Sequence, residues 1–363
     1  MAIQRIELNK KEWKFRQVSS SKWYPASVPG CVHTDLLRNK LIDNPFFGLN
    51  EKKQQWIEEK DWEYLLEFEN PEDIKKYSSC ILELEGLDTY ADIYLNDLLV
   101  LSADNMFTSY EIDIYSYLNP SGNQLKIIFH SPYLTAKKYY DKLGYQLPAN
   151  NDEGELRVSP FTRKAPYMYG WDWGPRLLTS GIWKSLRLKL ISRARINYSS
   201  CSVTKLGKNK AELLLEYEFQ IIEQNSYQVI IRIDDLEMYN KTRIYSTGSI
   251  SKTKKIKLKK PELWWPRGFG EQKLYNVEVL LRDENETLDI KEYKIGIRQV
   301  RLNQVEDENG SSFSIEINGK DIFARGANLI PLEYFPSEIT NEKYEELIDN
   351  AISVNMNMLR CWG

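Results

Sequence analysis

Histidine is almost missing from this chain. Only His33 and His130 occur in 363 residues. The four cysteines, Cys31, Cys80, Cys201 and Cys361, are widely scattered and form no CxxC pair. A zinc site or a Ser-His-Asp triad therefore has almost no material, and neither a metal nor a cofactor is expected. The cysteines read as four reduced, mostly buried thiols. Charge of either sign is not in excess: 49 Lys+Arg face 52 Asp+Glu, for a net charge of −3. That balance gives no ground for a nucleic acid or an anionic membrane as partner. No apolar run approaches the roughly 18 residues of a membrane span. The N-terminus, MAIQRIELNKKEW, lacks the apolar core of a signal peptide, so the expected location is cytoplasmic.

Aromatic residues, in contrast, are abundant: 10 Trp, 23 Tyr and 12 Phe. Most of these rings are expected in cores. An excess of Trp also suits sugar binding. The C–H face of a pyranose is apolar and packs on a flat ring, while its hydroxyls need carboxylates, amides and Arg.

The pattern is mainly β. Short strands are predicted at 64–69, 80–84, 91–95, 110–114, 124–129 and 184–190, several alternating apolar and polar. Asn96-Asp97 and Ser121-Gly122-Asn123 are turn signals between them. Such spacing predicts a sandwich or jelly roll over residues 1–192. Residues 134–176 break the pattern. They are rich in Tyr, Pro and Gly and poor in strand signal, and they read as a long functional loop. A second all-β block, residues 193–297, has strands predicted at 211–222, 227–233, 255–258, 275–281 and 290–295, which fits an immunoglobulin-like sandwich. Its Lys-rich run 252–260 reads as a solvated edge.

From about Gln299 the character changes. A hairpin is predicted at 313–323 around Asn318-Gly319. Then come a buried strand at 322–328, a helix capped by Thr340 with apolar positions Tyr344, Leu347, Ile348 and Ala351, and a strand at 356–361. This β-α-β order predicts the start of a (β/α)8 barrel over 298–363, with Asn328, Arg360, Cys361 and Trp362 near the carboxyl ends of its strands, where such barrels act. One β-α-β unit cannot cover its own faces and edges. The expectation is therefore a chain truncated shortly after its barrel begins, and prone to self-association.

Few residues offer chemistry. In Gly170-Trp171-Asp172-Trp173-Gly174-Pro175-Arg176, two Trp flank a carboxylate between glycines. Trp can pack on a sugar face and Asp can accept two hydroxyl hydrogen bonds. Equally, the motif can be a packed corner in which Asp172 caps local backbone N–H groups. Trp264-Trp265-Pro266 reads as an inter-domain plug or sandwich corner. His33 beside Asp35 is reminiscent of acid–base work, but with no nucleophile indicated the stretch 29–35 reads as a structural turn. Trp362, placed by the barrel topology, is expected to contact ligand.

Taken together these motifs resemble the β-mannosidase branch of glycoside hydrolase family 2. The matching stretches are 26–37 (ASVPGCVHTDLL), 44–50 (NPFFGLN), 170–175 (GWDWGP), 181–183 (GIW), 264–268 (WWPRG), 326–331 (GANLIP) and 355–363 (NMNMLRCWG), in one order over essentially the whole chain. The resemblance implies a jelly-roll, galactose-binding-like domain, an immunoglobulin-like sandwich and then a (β/α)8 barrel. It implies a retaining exo-hydrolase that removes terminal β-mannose from β-mannoside oligosaccharides or glycosides, and leaves room for a homodimer. It places Trp171, Asp172, Asn328 and Trp362 around the terminal sugar. Retaining hydrolysis needs two carboxyl groups about 5–5.5 Å apart. The family carries them as glutamates on later barrel strands, so both are expected beyond Gly363. Glu333, Glu338, Glu342 and Glu345 lie in the first loop or helix and are not candidates. This chain is therefore expected to be inactive alone. Two alternatives stand beside this reading: a stand-alone, non-catalytic carbohydrate-binding protein, and a family 2 hydrolase acting on a β-glucosaminide or β-galactoside.

Overall fold

The computed structural model describes residues 3–362, so Gly363, the last residue of the final matching stretch, lies outside the described residues. Two compact units emerge. One holds Arg5–Leu190 together with Pro331–Thr340, and the other holds Ile191–Ile330 and Asn341–Trp362.

The first unit is a jelly-roll sandwich of two sheets. One runs Ile3–Glu7, Leu186–Ile191, Ser79–Leu84, Tyr110–Asp113. The other runs Tyr24–Pro25, Lys14–Gln17, Trp62–Phe68, Asn123–Phe129, Ala91–Leu95, Leu98–Ala103. All six strands expected here form. In Asn123–Phe129 strict alternation sends Leu125, Ile127 and Phe129 into the core, where Ile127 pairs with Tyr64 on one side and Ile93 on the other. Asn96 and Asp97, both at positive φ, make the two-residue turn into Leu98–Ala103, an edge strand the sequence pattern did not disclose.

Two expectations need correction. The stretch 29–35 is not a turn alone, because a helix, Val32–Arg38, starts there with Cys31 as its N-cap. The segment 134–176 lacks strands, as expected, but is not wholly loop. It opens with the helix Pro132–Leu143, capped by Ser131, whose Oγ accepts from Leu134 N at 2.9 Å, and closed by Gly144 at φ +79°. Ser as N-cap, Pro in the first turn and Gly after the last residue are sequence-readable stops, outweighed in the reading by the Tyr and Pro that follow.

The irregular remainder of that segment is fastened by two buried cations. Lys164 Nζ donates to Asp88 Oδ2 at 2.6 Å, Thr179 O at 2.8 Å and Thr179 Oγ1 at 3.0 Å. Arg176 Nη1 donates to Glu58 and, at 2.8 Å, to Gln55 Oε1, while its Nε lies 3.5 Å from Asp152 Oδ1. Lys164, Arg176, Asp88, Glu58 and Asp152 are all buried. Charges withdrawn from water this far are tolerated only when paired and hydrogen-bonded, so each pair fixes the chain where it sits.

The second unit contains a seven-stranded, immunoglobulin-like sandwich. One sheet runs Ala194–Gly207, Lys210–Ile221, Gly248–Lys259, and the other runs Leu236–Tyr245, Asn225–Ile233, Tyr275–Arg282, Thr287–Ile295. In Lys210–Ile221 the buried positions Ala211, Leu213, Leu215, Tyr217, Phe219 and Ile221 face one core. Gly248–Lys259 is an edge strand with its lysines mostly exposed, which is the solvated edge expected of the Lys run. Trp264 and Trp265 form a corner: Trp264 N donates to Ile297 O at 3.0 Å and Arg298 stacks 4.3 Å from the Trp264 ring.

Beyond it, Ser314–Ile317 and Lys320–Ile322 form the expected hairpin on the Asn318-Gly319 turn. The single strand expected at 322–328 is instead two pieces. Ile322 ends the hairpin, and Gly326–Leu329 begins the β-α-β unit, pairing in parallel with Met358–Cys361 across the helix Asn341–Ser353. Hairpin pairing claims Ile322 before the parallel strand can start, and apolar content alone could not separate the two. Leu347 and Ala351 line an apolar hollow of about 320 Å³ with Ala327, Leu329 and Leu359, while Tyr344 and Ile348 are exposed. No described helix is long and apolar enough to cross a membrane.

Two substitutions test these supports by urea denaturation. Leu215→Ala, in the second core, is expected to cost about 2–5 kcal/mol. Glu58→Gln, which strips Arg176 of its countercharge, is expected to cost about 3–5 kcal/mol. A loss below about 1 kcal/mol in the latter would mean that the pair does not fasten the segment.

Candidate functional site

The stretch between the two buried cations is where the sequence placed Trp171 and Asp172. Trp171 N donates to Gly174 O and Gly174 N donates to Trp171 O, each at 3.2 Å, so Asp172 and Trp173 form the tip of a minimal hairpin. Trp173 turns inward, its ring 5.1 Å from Tyr167 and 6.5 Å from Tyr334. Trp171 is half-buried and Asp172 exposed. Among the described residues no donor is hydrogen-bonded to the Asp172 carboxylate. Of the two readings of this motif, the packed corner describes Trp173. Capping of local N–H groups by Asp172 does not occur. The acceptor capacity of Asp172 stays open to a ligand carrying hydroxyls.

Asn328 and Trp362 are brought together within the second unit. Asn328 lies opposite Arg360 in the parallel pair, and Arg360 Nη1 donates to Asn328 Oδ1 at 3.2 Å. Trp362 follows directly on its strand, with its N donating to Leu329 O at 2.9 Å. Asn328 is exposed and Trp362 half-buried, near the carboxyl ends of their strands.

Residues that the sequence reading did not single out hold the 171–174 turn. Tyr334, in the loop after Gly326–Leu329, donates through its hydroxyl to Pro175 O at 2.8 Å and accepts from Leu177 N at 3.1 Å. Tyr167 donates to Tyr334 O at 3.1 Å. A Cβ at Gly174 would stand 3.1 Å from the Tyr334 ring, so the glycine lets that ring close on the turn. The available signal was an aromatic pair, Tyr334-Phe335, in a loop flanked by Pro331 and Pro336. Glu338, on the same loop, pairs with Arg38 at 2.7 Å.

The His33/Asp35 pair is structural. His33 is buried and stacked at 6.0 Å on Phe335. Burial, with Lys164 assisting, pushes its pKa down to about 3. Asp35 accepts from Ser27 N at 2.9 Å and Tyr64 OH at 2.8 Å, and burial still raises its pKa to about 6. His130 is held between Asp61 at 3.5 Å and Asp92 at 2.9 Å, which raise its pKa to about 9. Neither histidine is placed as a proton shuttle at the turn. Their linkage to stability has definite signs. Below about pH 6.5 the unfolded chain protonates His33 and the folded chain does not, so this residue's contribution is lost as pH falls toward 3. Asp35 acts oppositely, since the folded carboxyl takes its proton near pH 6, before the unfolded one does near 3.8. His33→Gln is expected to be less stable than the parent at pH 7, with the gap narrowing by pH 4.5 in urea titrations. A gap independent of pH would contradict the burial of a neutral imidazole.

Comparison with known proteins agrees with this architecture. Residues 13–184 match the glycosyl hydrolase 2 galactose-binding domain-like family, and residues 195–298 match glycosyl hydrolases family 2. Beta-mannosidase B of Neosartorya fischeri is 33% identical over 99% of this chain and 43% of its own length. Beta-mannosidase of Bos taurus is 31% identical over 97% of this chain and 41% of its own. The crystal structure of a β-D-mannosidase from Dictyoglomus thermophilum superposes with a TM-score of 0.92 at 39% identity, covering 100% of this chain and 44% of that one. The chain thus spans less than half the length of the relatives it matches. By these matches, in the order of its sandwiches and its β-α-β unit, the chain belongs to glycoside hydrolase family 2.

Proposed function

We propose that this chain forms the N-terminal part of a β-mannosidase, a retaining exo-hydrolase of terminal β-D-mannose. The observation that carries the reading is the 171–174 turn. It presents an exposed carboxylate that has no hydrogen-bond donor among the described residues, flanked by two tryptophans, on a backbone fixed from both sides. Similarity over the full chain to proteins named β-mannosidase supports the choice of sugar. In this reading Asp172 accepts from sugar hydroxyls and Trp171 packs against the C–H face. Asn328 and Trp362, in the second unit, offer an amide and a ring of the same chemical kind. In this reading the acid/base and nucleophile, which must stand about 5–5.5 Å apart, lie on later barrel strands, as the family resemblance implies.

Hydrolysis of an aryl β-mannoside by residues 1–363 and by the full-length protein carrying them tests this. The short chain is expected to be silent and the long one to turn over. Asp172→Asn in the long protein is expected to raise KM about tenfold or more. Turnover by the short chain would place a carboxylate pair within it and overturn the division of labour. Faster hydrolysis of an aryl β-glucosaminide or β-galactoside would overturn the sugar assignment.

A further inference from the structure

The 171–174 turn is short, ends in an exposed carboxylate, and has only two backbone hydrogen bonds of its own. A tip of that kind is mobile unless its flanks are held. Tyr167 packs on Trp173 at 5.1 Å, and Tyr334 holds the turn by both ring and hydroxyl. Tyr334 is 7% exposed, its ring lies against Gly174 and edge-on to Trp173 and Tyr167, and its hydroxyl joins Pro175 O to Leu177 N. The two main-chain groups it touches belong to the irregular stretch leaving the turn. A phenylalanine there would take the donor from the half-buried Pro175 C=O and one of two acceptors from Leu177 N, which also donates to Met168 O at 3.0 Å. The loop carrying Tyr334 is itself tied down by Glu338 on Arg38 and by Phe335 on His33.

We infer that Tyr334 is a positioning residue for sugar recognition: it locks the 171–174 turn so that the Asp172 carboxylate is held in one place before substrate arrives. The inference rests on the reading of that turn as a sugar contact. A preformed acceptor spares the ordering cost that a mobile tip would charge to each binding event, so its loss weakens binding rather than the chemical step. Tyr334 touches no reacting atom in this account.

The experiment compares parent, Tyr334→Phe, Ile127→Val and Asp172→Asn in the full-length protein, with an aryl β-mannoside as probe. Each is followed by steady-state kinetics, thermal unfolding and amide hydrogen exchange across 171–174. For Tyr334→Phe, KM is expected to rise about tenfold with kcat within about twofold, and exchange at Trp171 and Gly174 to speed up about tenfold. Ile127→Val, in the jelly-roll core between Tyr64 and Ile93, is expected to lower the unfolding midpoint at unchanged KM. If Asp172→Asn raises KM while Tyr334→Phe leaves KM and exchange at parent values, the positioning role is wrong and the sugar contact stands. If Tyr334→Phe and Ile127→Val shift KM alike, the effect is general stability of the unit and the inference is again overturned. If Asp172→Asn changes nothing, the sugar contact itself fails and the inference falls with it.

Discussion

Two cations buried in the jelly roll govern what this chain can present to a ligand. Lys164 and Arg176 sit on either side of an otherwise irregular, aromatic-rich stretch, each paired with carboxylates that are themselves out of water. A single buried charge is a liability, and a paired one is nearly neutral for stability but strict in geometry. The pairs therefore act less as glue than as coordinates. They leave the 171–174 turn between them few places to go, and Tyr334 removes most of the remaining freedom.

The chemistry of the turn follows from that constraint. Trp173 is spent on packing against Tyr167 and Tyr334, which leaves Trp171 and Asp172 as the surface the hairpin offers. A carboxylate is an acceptor only, so an exposed one with no protein donor favours ligands rich in hydroxyls. In the second unit the ends of the parallel strands offer an amide and a ring of similar character, Asn328 and Trp362, with Asn328 steadied by Arg360.

Much of this was legible in the sequence because alternation and turn chemistry are local. The strands around Ile127 and Leu215, the Asn318-Gly319 turn and the helix after Thr340 all announce themselves within a few residues. What escaped was non-local or overruled. The helix Pro132–Leu143 carries ordinary caps, yet its Tyr- and Lys-rich body has too few apolar positions to read as amphipathic. Ile322 fits a hairpin and a barrel strand equally until pairing decides. Tyr334 lies 160 residues from the turn it grips, and no spacing rule links Tyr334 to Gly174. Nothing local marks Lys164 and Arg176 as buried, because burial of an ion depends on partners such as Asp88 and Glu58 from distant strands and turns.

The most direct test of a preformed sugar contact is a crystal structure of the full-length protein with a mannose-configured inhibitor, set beside the unliganded form. The account predicts the Asp172 carboxylate within hydrogen-bonding distance of hydroxyls on the terminal sugar ring, and a 171–174 backbone that superposes in the two forms. A sugar bound with Asp172 still facing solvent, or a turn that takes its shape only on binding, would contradict it.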